Sequence, residues 1–371
     1  MTWILAAVVL WLAYSNGAND NIKGVATLFG AGTASYKRTL AWATLCTFLG
    51  SMAALWAGAG LVRAFSGKGL VPDVVLANPR FLASVGIAAA ATVLLATRLG
   101  FPISTTHALM GALVGAGLAA PEGKVHLGAL GNTFVLPLLL SPLIALALSA
   151  LLYMGFRWAR ARLGVVEESC LCIGREVRVI AQGPLSSARA AEAVAEARLS
   201  VAVDTEIRCV QRYRGAVVGV DAQTALDASH YLSAGTLCFA RGLNDTPKIL
   251  ALLAVAPLLP LPLLLSLVAL VMALGGILQA RRVADTMAHR IADMNDGQGF
   301  TANLVSSALV LFASRLGLPV STTHVTCGAL FGIGTVNRTA RWRTISRIAL
   351  AWVVTLPLAA GLSALAMGVL P

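Results

Sequence analysis

Apolar residues run through this chain in long blocks, without the spacing of soluble helices or strands. Blocks of about twenty such residues cross a bilayer as helices, and they are expected here over about 40–62, 127–156, 249–278 and 345–370. The first block, Thr2 to about Gly32, is too long for one simple span. It is interrupted at Ser15-Asn16-Gly17-Ala18-Asn19-Asp20-Asn21, which predicts a helix broken within the membrane, the device transporters use to present helix ends to solutes. A second interruption, Arg241-Gly242-Leu243-Asn244-Asp245-Thr246-Pro247-Lys248, follows a segment that starts near Tyr231. Residues 81–119 and 299–335 each form two short apolar arms joined at a proline. Proline cannot continue the helix before it, so each segment predicts a hairpin with a polar tip.

The two tips repeat one phrase. Residues 98–117 and 315–334 agree at thirteen of twenty positions, and self-similarity on this scale marks two copies of one structural unit. Basic residues give their direction. With the N-terminus outside, Lys37/Arg38, Arg157/Arg160/Arg162, Arg281/Arg282 and Arg338/Arg341/Arg343/Arg347 all fall on the cytoplasmic side, as the positive-inside rule requires. The first half then crosses an odd number of times, so the second copy starts from the opposite face and the repeats are inverted. The expected organisation is a first transmembrane repeat over 1–162, a soluble cytoplasmic insert over 163–229 and a second, inverted transmembrane repeat over 230–371. The fold class is an all-α polytopic membrane protein, an inverted-topology repeat with broken helices and two polar-tipped helical hairpins, plus a small soluble α+β insert. Its expected place is the inner (cytoplasmic) membrane, multi-pass, with the N- and C-termini outside.

Composition agrees with this picture. At 58% hydrophobic and 12% charged, 371 residues are too apolar for a soluble protein. The net charge of +12 sits mostly at the ends of apolar blocks, which reads as anchoring in lipid and excludes a nucleic-acid surface. Residues 1–14 lack a basic start and a cleavage site, so they read as a retained helix. In the insert, 189–199 predicts a short helix, and 176–180 and 201–220 predict strands. Cys170, Cys172 and Cys209 are three thiols without a fourth ligand, a poor metal set, and no cofactor is expected. His126, His230 and His289 carry no signal.

The chemistry lies in the paired motifs. Ser104, Thr105, Thr106, Ser321, Thr322 and Thr323 offer hydroxyl donors without charge, and the helix start after each tip adds free N–H groups, a combination suited to an oxyanion. One hydroxyl in each copy is expected to cap its helix. Asn19, Asp20, Asn244 and Asp245 place oxygen ligands at membrane depth. Carboxylates beside an anion repel it unless cations come too, so these residues point to cation-coupled uptake, with H⁺ on the carboxylates or Na⁺ held by the oxygens. Lys23 and Lys248 lie three residues after their Asp, within pairing reach on a helix. Arg98 and Arg315 recur just before each tip and either face the anion or anchor at the interface. His107 and His324 relay protons or fix the tips.

Gly17-Ala18-Asn19-Asp20, Gly242-Leu243-Asn244-Asp245 and the two Pro-x-Ser-Thr-Thr-His tips closely resemble the inorganic phosphate transporter (PiT) family, across both apolar halves. The resemblance implies phosphate moved with Na⁺ or H⁺, an inverted-repeat fold, a site built from these motifs, and homodimers. Many Na⁺-coupled relatives carry Asn three positions after the Asp, where this chain has Lys23 and Lys248. A fixed ammonium there could take the place of Na⁺, which favours coupling to H⁺ or to a metal-phosphate complex. Sulfate or another oxyanion is the nearest alternative cargo, although a protonated phosphate can donate to Asp and sulfate cannot. An intramembrane hydrolase built on Ser104 or Ser321 is a remote reading, because a Ser and a His this close in sequence rarely reach triad geometry. A channel would not need paired Asp-bearing breaks. No enzyme activity is expected.

Overall fold

The apolar blocks expected at 127–156 and 345–370 lie in single long helices, whereas that at 40–62 is divided at Gly58 and that expected at 249–278 has its long helix only from Leu261. The computed structural model describes residues 2–121, 123–166, 169–180, 194–205, 208, 218–253 and 259–370. In the first half, α1 covers Thr2–Asp20, α2 Ala26–Gly30, α3 Tyr36–Ala57, α4 Ala59–Phe65, α5 Asp73–Leu76, α6 Pro79–Leu99, α7 Thr105–Ala119 and α8 Leu127–Leu163. In the second, α9 covers Ala222–Leu250, α10 Leu261–Gln279, α11 Arg281–Asp285, α12 Asp296–Arg315, α13 Thr322–Val336 and α14 Trp342–Val369. Among the described residues, α3, α6, α8, α10 and α14 are long and apolar enough to cross a membrane. Exposed Leu139, Leu143 and Leu151 on α8 are the kind of surface that lipid covers.

Both hairpins form, and their tips match in backbone as well as in sequence. In the first, Asn78 caps α6 by accepting from Arg80 N at 2.9 Å, with Pro79 at the first helical position. In the second, Asn295 and Gln298 close a reciprocal capping box on α12. Gly100 and Gly317 then take φ of 77° and 67°, a left-handed turn that favours glycine. Ser104 (φ −99°, ψ 116°) and Ser321 (φ −97°, ψ 117°) start the return arms, and each hydroxyl accepts the backbone N–H of His107 or His324 at 3.1 Å. The capping hydroxyl expected in each copy is therefore the serine.

The breaks lie later than expected. Helix α1 is continuous through Asp20, and the chain turns over residues 21–25. Helix α9 starts at Ala222 and runs to Leu250 with Pro247 inside it. The reason is where the polar side chains go. Asn16, Asn19 and Asn244 bond to other elements, so they do not compete for their own backbone and leave the helix intact.

Contacts divide the described chain into two units, residues 1–154 with 230–371 and residues 155–229. In the first, α1 packs on α6 and α10, and α14 packs on α7. The second carries an antiparallel sheet of order β2-β1-β3, with β1 Ser169–Ile180, β2 Val194–Thr205 and β3 Val218–Asp221. The helix expected over 189–199 is corrected: Val194 to Leu199 belong to β2, where pairing with β1 overrides local helix preference, and 189–193 lie outside the described residues. Cys209 also lies outside them. Cys172 is disulfide-bonded, which takes one sulfur out of the thiol group considered above.

Candidate binding site between the hairpin tips

The two tips bond to each other. Thr106 Oγ1 donates to Val320 O at 3.3 Å, and Thr323 Oγ1 donates to Ile103 O at 2.7 Å. Ile103 and Val320 precede the two capping serines, so one contact occurs twice with the halves exchanged.

Both lysines close on this junction. Lys23 Nζ donates to Ile103 O at 2.7 Å and Thr323 Oγ1 at 2.6 Å, and pairs closely with Asp20. Lys248 Nζ donates to Val320 O at 2.8 Å and Thr106 Oγ1 at 2.9 Å, pairs with Asp245 Oδ1 at 3.3 Å, and bonds closely to Asn244 Oδ1. Each ammonium thus holds the tip carbonyl of its own half and the second threonine of the other. Both lysines are 1% exposed. Burying a charge at this depth is costly unless it is paired and hydrogen-bonded, and here it is both.

The motif asparagines fix the helices to the hairpins. Asn19 Nδ2 donates to Thr97 Oγ1 at 2.9 Å and Phe101 O at 3.0 Å, and its Oδ1 accepts from Ile103 N at 3.2 Å. Asn244 Nδ2 donates to Ser314 Oγ at 2.8 Å, at the position matching Thr97. The motif glycines allow close helix packing. A Cβ on Gly17 would stand 1.8 Å from Met272 O, and one on Gly242 would stand 2.1 Å from Thr47 O.

The sequence-derived residues divide into groups. Asp20 Oδ2 accepts from Thr105 Oγ1 at 3.1 Å and Asn16 Nδ2 at 3.0 Å, so the first carboxylate touches the first tip directly. Thr322, the counterpart of Thr105, is buried at its helix start. Asn19, Asp20, Lys23, Asn244, Asp245 and Lys248 come together with the tips. Arg98 and Arg315 do not: both side chains are exposed in the last turns of α6 and α12. His107 and His324 meet in a tilted ring contact with centroids 4.4 Å apart, and Trp352 lies against His324 at 3.9 Å while its indole N–H donates to Pro102 O at 3.0 Å. They sit at the tips without reaching the carboxylates in any described hydrogen bond.

Two residues escaped the sequence analysis as members of the site. Asn16 bridges the carboxylates, donating to Asp20 at 3.0 Å and reaching Asp245 Oδ2 at 3.5 Å. Arg241 pairs with Asp245 Oδ2 at 3.5 Å and reaches Asn16 Oδ1 at 3.3 Å. The available signal was their place inside the two polar interruptions, at matched positions three residues before each Asn-Asp pair. His230 also has a place, with Nε2 3.0 Å from Thr27 Oγ1 and Nδ1 3.2 Å from Asp296 Oδ1, linking α2, α9 and α12. No group of three or more His, Cys, Asp or Glu suited to a metal occurs among the described residues.

Known proteins resemble this arrangement along its full length. A Pyrococcus abyssi protein named as a phosphate permease is 26% identical, over 99% of this chain and 98% of its own. A Rhizobium meliloti protein named as a low-affinity inorganic phosphate transporter is 28% identical, over 97% and 94%. Among solved structures, a sodium-dependent phosphate transporter superposes with a TM-score of 0.73 at 22% identity, covering 100% of this chain and 98% of that one, a likeness of fold. The profile of the phosphate transporter family matches residues 16–363, a stretch that contains every motif described above. The chain therefore belongs to the phosphate transporter family and is a membrane transporter, not an enzyme.

Proposed function

We propose that this protein imports inorganic phosphate across the cytoplasmic membrane by alternating access, coupled to H⁺ or to a metal-phosphate complex and not to Na⁺. The observation that carries the coupling is the placement of the two ammonium groups. Na⁺ needs hard oxygen ligands, and the oxygens nearest the carboxylates surround nitrogen instead. Asp20 Oδ1, Ile103 O and Thr323 Oγ1 surround Lys23 Nζ. Asp245 Oδ1, Asn244 Oδ1, Val320 O and Thr106 Oγ1 surround Lys248 Nζ. Each lysine acts as a tethered cation in the place a co-transported one would take.

In this reading phosphate binds where Ser104, Thr105, Thr106, Ser321, Thr322 and Thr323 converge, with the helix starts of α7 and α13 behind them. The Thr106 and Thr323 hydroxyls exchange tip-to-tip bonds for bonds to phosphate oxygens, which frees the tips to separate. Asn19, Asp20, Asn244 and Asp245 form the coupling set, and a protonated phosphate oxygen donates to a carboxylate. The repeats are 1–162 and 230–371 in inverted topology, 163–229 is a cytoplasmic insert, both termini lie outside, and the carrier works as a homodimer in lipid.

Uptake of labelled phosphate into proteoliposomes, with sulfate as competitor and Asp20→Asn beside wild type, tests the site and the cargo. Loss of uptake in the variant and weak competition by sulfate are expected. Equal competition by sulfate would assign a general oxyanion permease, and undiminished uptake by Asp20→Asn would remove the site.

A further inference from the structure

Arg241 is a buried cation that the paired motifs do not require. It stands in α9 where Asn16 stands in α1, three residues before the Asn-Asp pair of each half. Its side chain is 1% exposed. All its described contacts are long: Nη1 to Asn21 Oδ1 at 3.4 Å, Nη2 to Asn16 Oδ1 at 3.3 Å, and Nε to Asp245 Oδ2 at 3.5 Å. Nε makes no hydrogen bond. A guanidinium has five N–H groups in a planar fork, so most of its donor capacity is unspent at a depth where unspent donors are costly.

The lysines are different. An ammonium has three donors, and Lys23 already has three acceptors in Asp20, Ile103 and Thr323. Lys248 has four within reach. Neither has a hydrogen left for an incoming anion unless the tips part. Among the described residues, the buried charged side chains are Lys23, Arg241 and Lys248 against Asp20 and Asp245, so one positive charge has no buried carboxylate of its own. Arg241 is also one side chain away from the first tip, because Asn16 donates to Thr105 Oγ1 at 3.0 Å.

We infer that Arg241 is an anion-binding residue of the carrier, which receives the tetrahedral oxyanion on its guanidinium fork before the tips part, while the lysines are still bonded to them. The inference rests on the phosphate reading above. A fork matches two oxygens of a phosphate at once, and the anion supplies the charge that the buried set lacks. It also accounts for an arginine standing at the position matched to Asn16: two arginines would leave a larger uncompensated charge, and two asparagines would leave none for the anion.

The test is equilibrium binding of labelled phosphate to the purified full chain, comparing wild type with Arg241→Lys and Arg241→Gln. Loss of the fork with the charge kept is expected to raise Kd about tenfold or more in Arg241→Lys, and loss of both to raise it further. A residue that only neutralises Asp245 would tolerate lysine, so Arg241→Lys binding as tightly as wild type overturns the inference. A second measurement needs no variant. Saturating phosphate is expected to slow phenylglyoxal modification of Arg241 in the native carrier, read by mass spectrometry, while exposed Arg98 and Arg315 react as before. Modification of Arg241 at an unchanged rate also overturns the inference. Wild type that binds no phosphate overturns the proposed cargo itself, a result distinct from either of these.

Discussion

Lys23 and Thr323 stand 300 residues apart in the chain and 2.6 Å apart in the structure. Lys248 and Thr106 repeat the pairing at 2.9 Å with the halves exchanged. The two halves are therefore joined by cations that belong to the Asp-bearing helices and hydroxyls that belong to the opposite tip. Any motion that separates the tips has to break these bonds.

Replacing Lys23 with Met leaves Asp20 buried without its close cation. Removing one partner of a buried pair costs about 3–5 kcal/mol, so Lys23→Met is expected to melt well below wild type. Lys23→Asn gives the sharper result, because it leaves oxygen ligands around an unoccupied charge position. Its melting temperature is expected to rise when choline is exchanged for Na⁺, whereas that of wild type is not.

The two carboxylates are not equivalent. Asp20 has Lys23, Thr105 and Asn16 as close partners, while Asp245 is held by contacts of 3.3–3.5 Å. Asp20→Asn is expected to lower the melting temperature more than Asp245→Asn, since it removes the closer ion pair and leaves Lys23 with two neutral acceptors, whereas Lys248 keeps three. Thermal unfolding of the two variants in detergent checks the order.

The tips separate two uses of a hydroxyl. Ser104→Ala and Ser321→Ala each remove a helix cap and are expected to cost about 1 kcal/mol, with similar shifts because the two caps match in backbone. Thr106→Val and Thr323→Val keep the shape and remove the tip-to-tip donor. Transport by the threonine variants is expected to fall by a larger factor than their stability loss explains, read as initial uptake rate per folded carrier.

Gly17→Ala and Gly242→Ala drive a Cβ to 1.8 and 2.1 Å from the backbone oxygens of Met272 and Thr47. Backbone cannot yield as a side-chain end does, so neither variant is expected to give folded carrier. Gly100→Ala, by contrast, meets only a left-handed φ, at a cost of about 1–2 kcal/mol, and is expected to fold. Monodispersity on size-exclusion chromatography distinguishes the three.

The hairpins and the Asn-Asp pairs were legible because a repeated phrase announces them, and proline and glycine punctuate each tip. Pairing of each lysine with its own Asp followed from helical spacing. The cross-half bonds could not be read, since Ile103 and Val320 contribute only backbone oxygen, which no side-chain pattern records. Asn16 and Arg241 were hidden for the opposite reason: they occupy matched positions with different residues, so a search for identity passes over them. The break was expected within 15–21 on the rule that polar residues interrupt helices. That rule fails where the asparagines find partners on neighbouring elements, as Asn16 and Asn19 do.

Coupling is the central claim, and it rests on ammonium groups standing where a bound Na⁺ would need its oxygens. Phosphate accumulation in proteoliposomes under an imposed inward H⁺ gradient, with all Na⁺ replaced by choline, tests it most directly. Accumulation that collapses when the H⁺ gradient is dissipated is the predicted result. Uptake that stops in choline and returns with an Na⁺ gradient alone would contradict it.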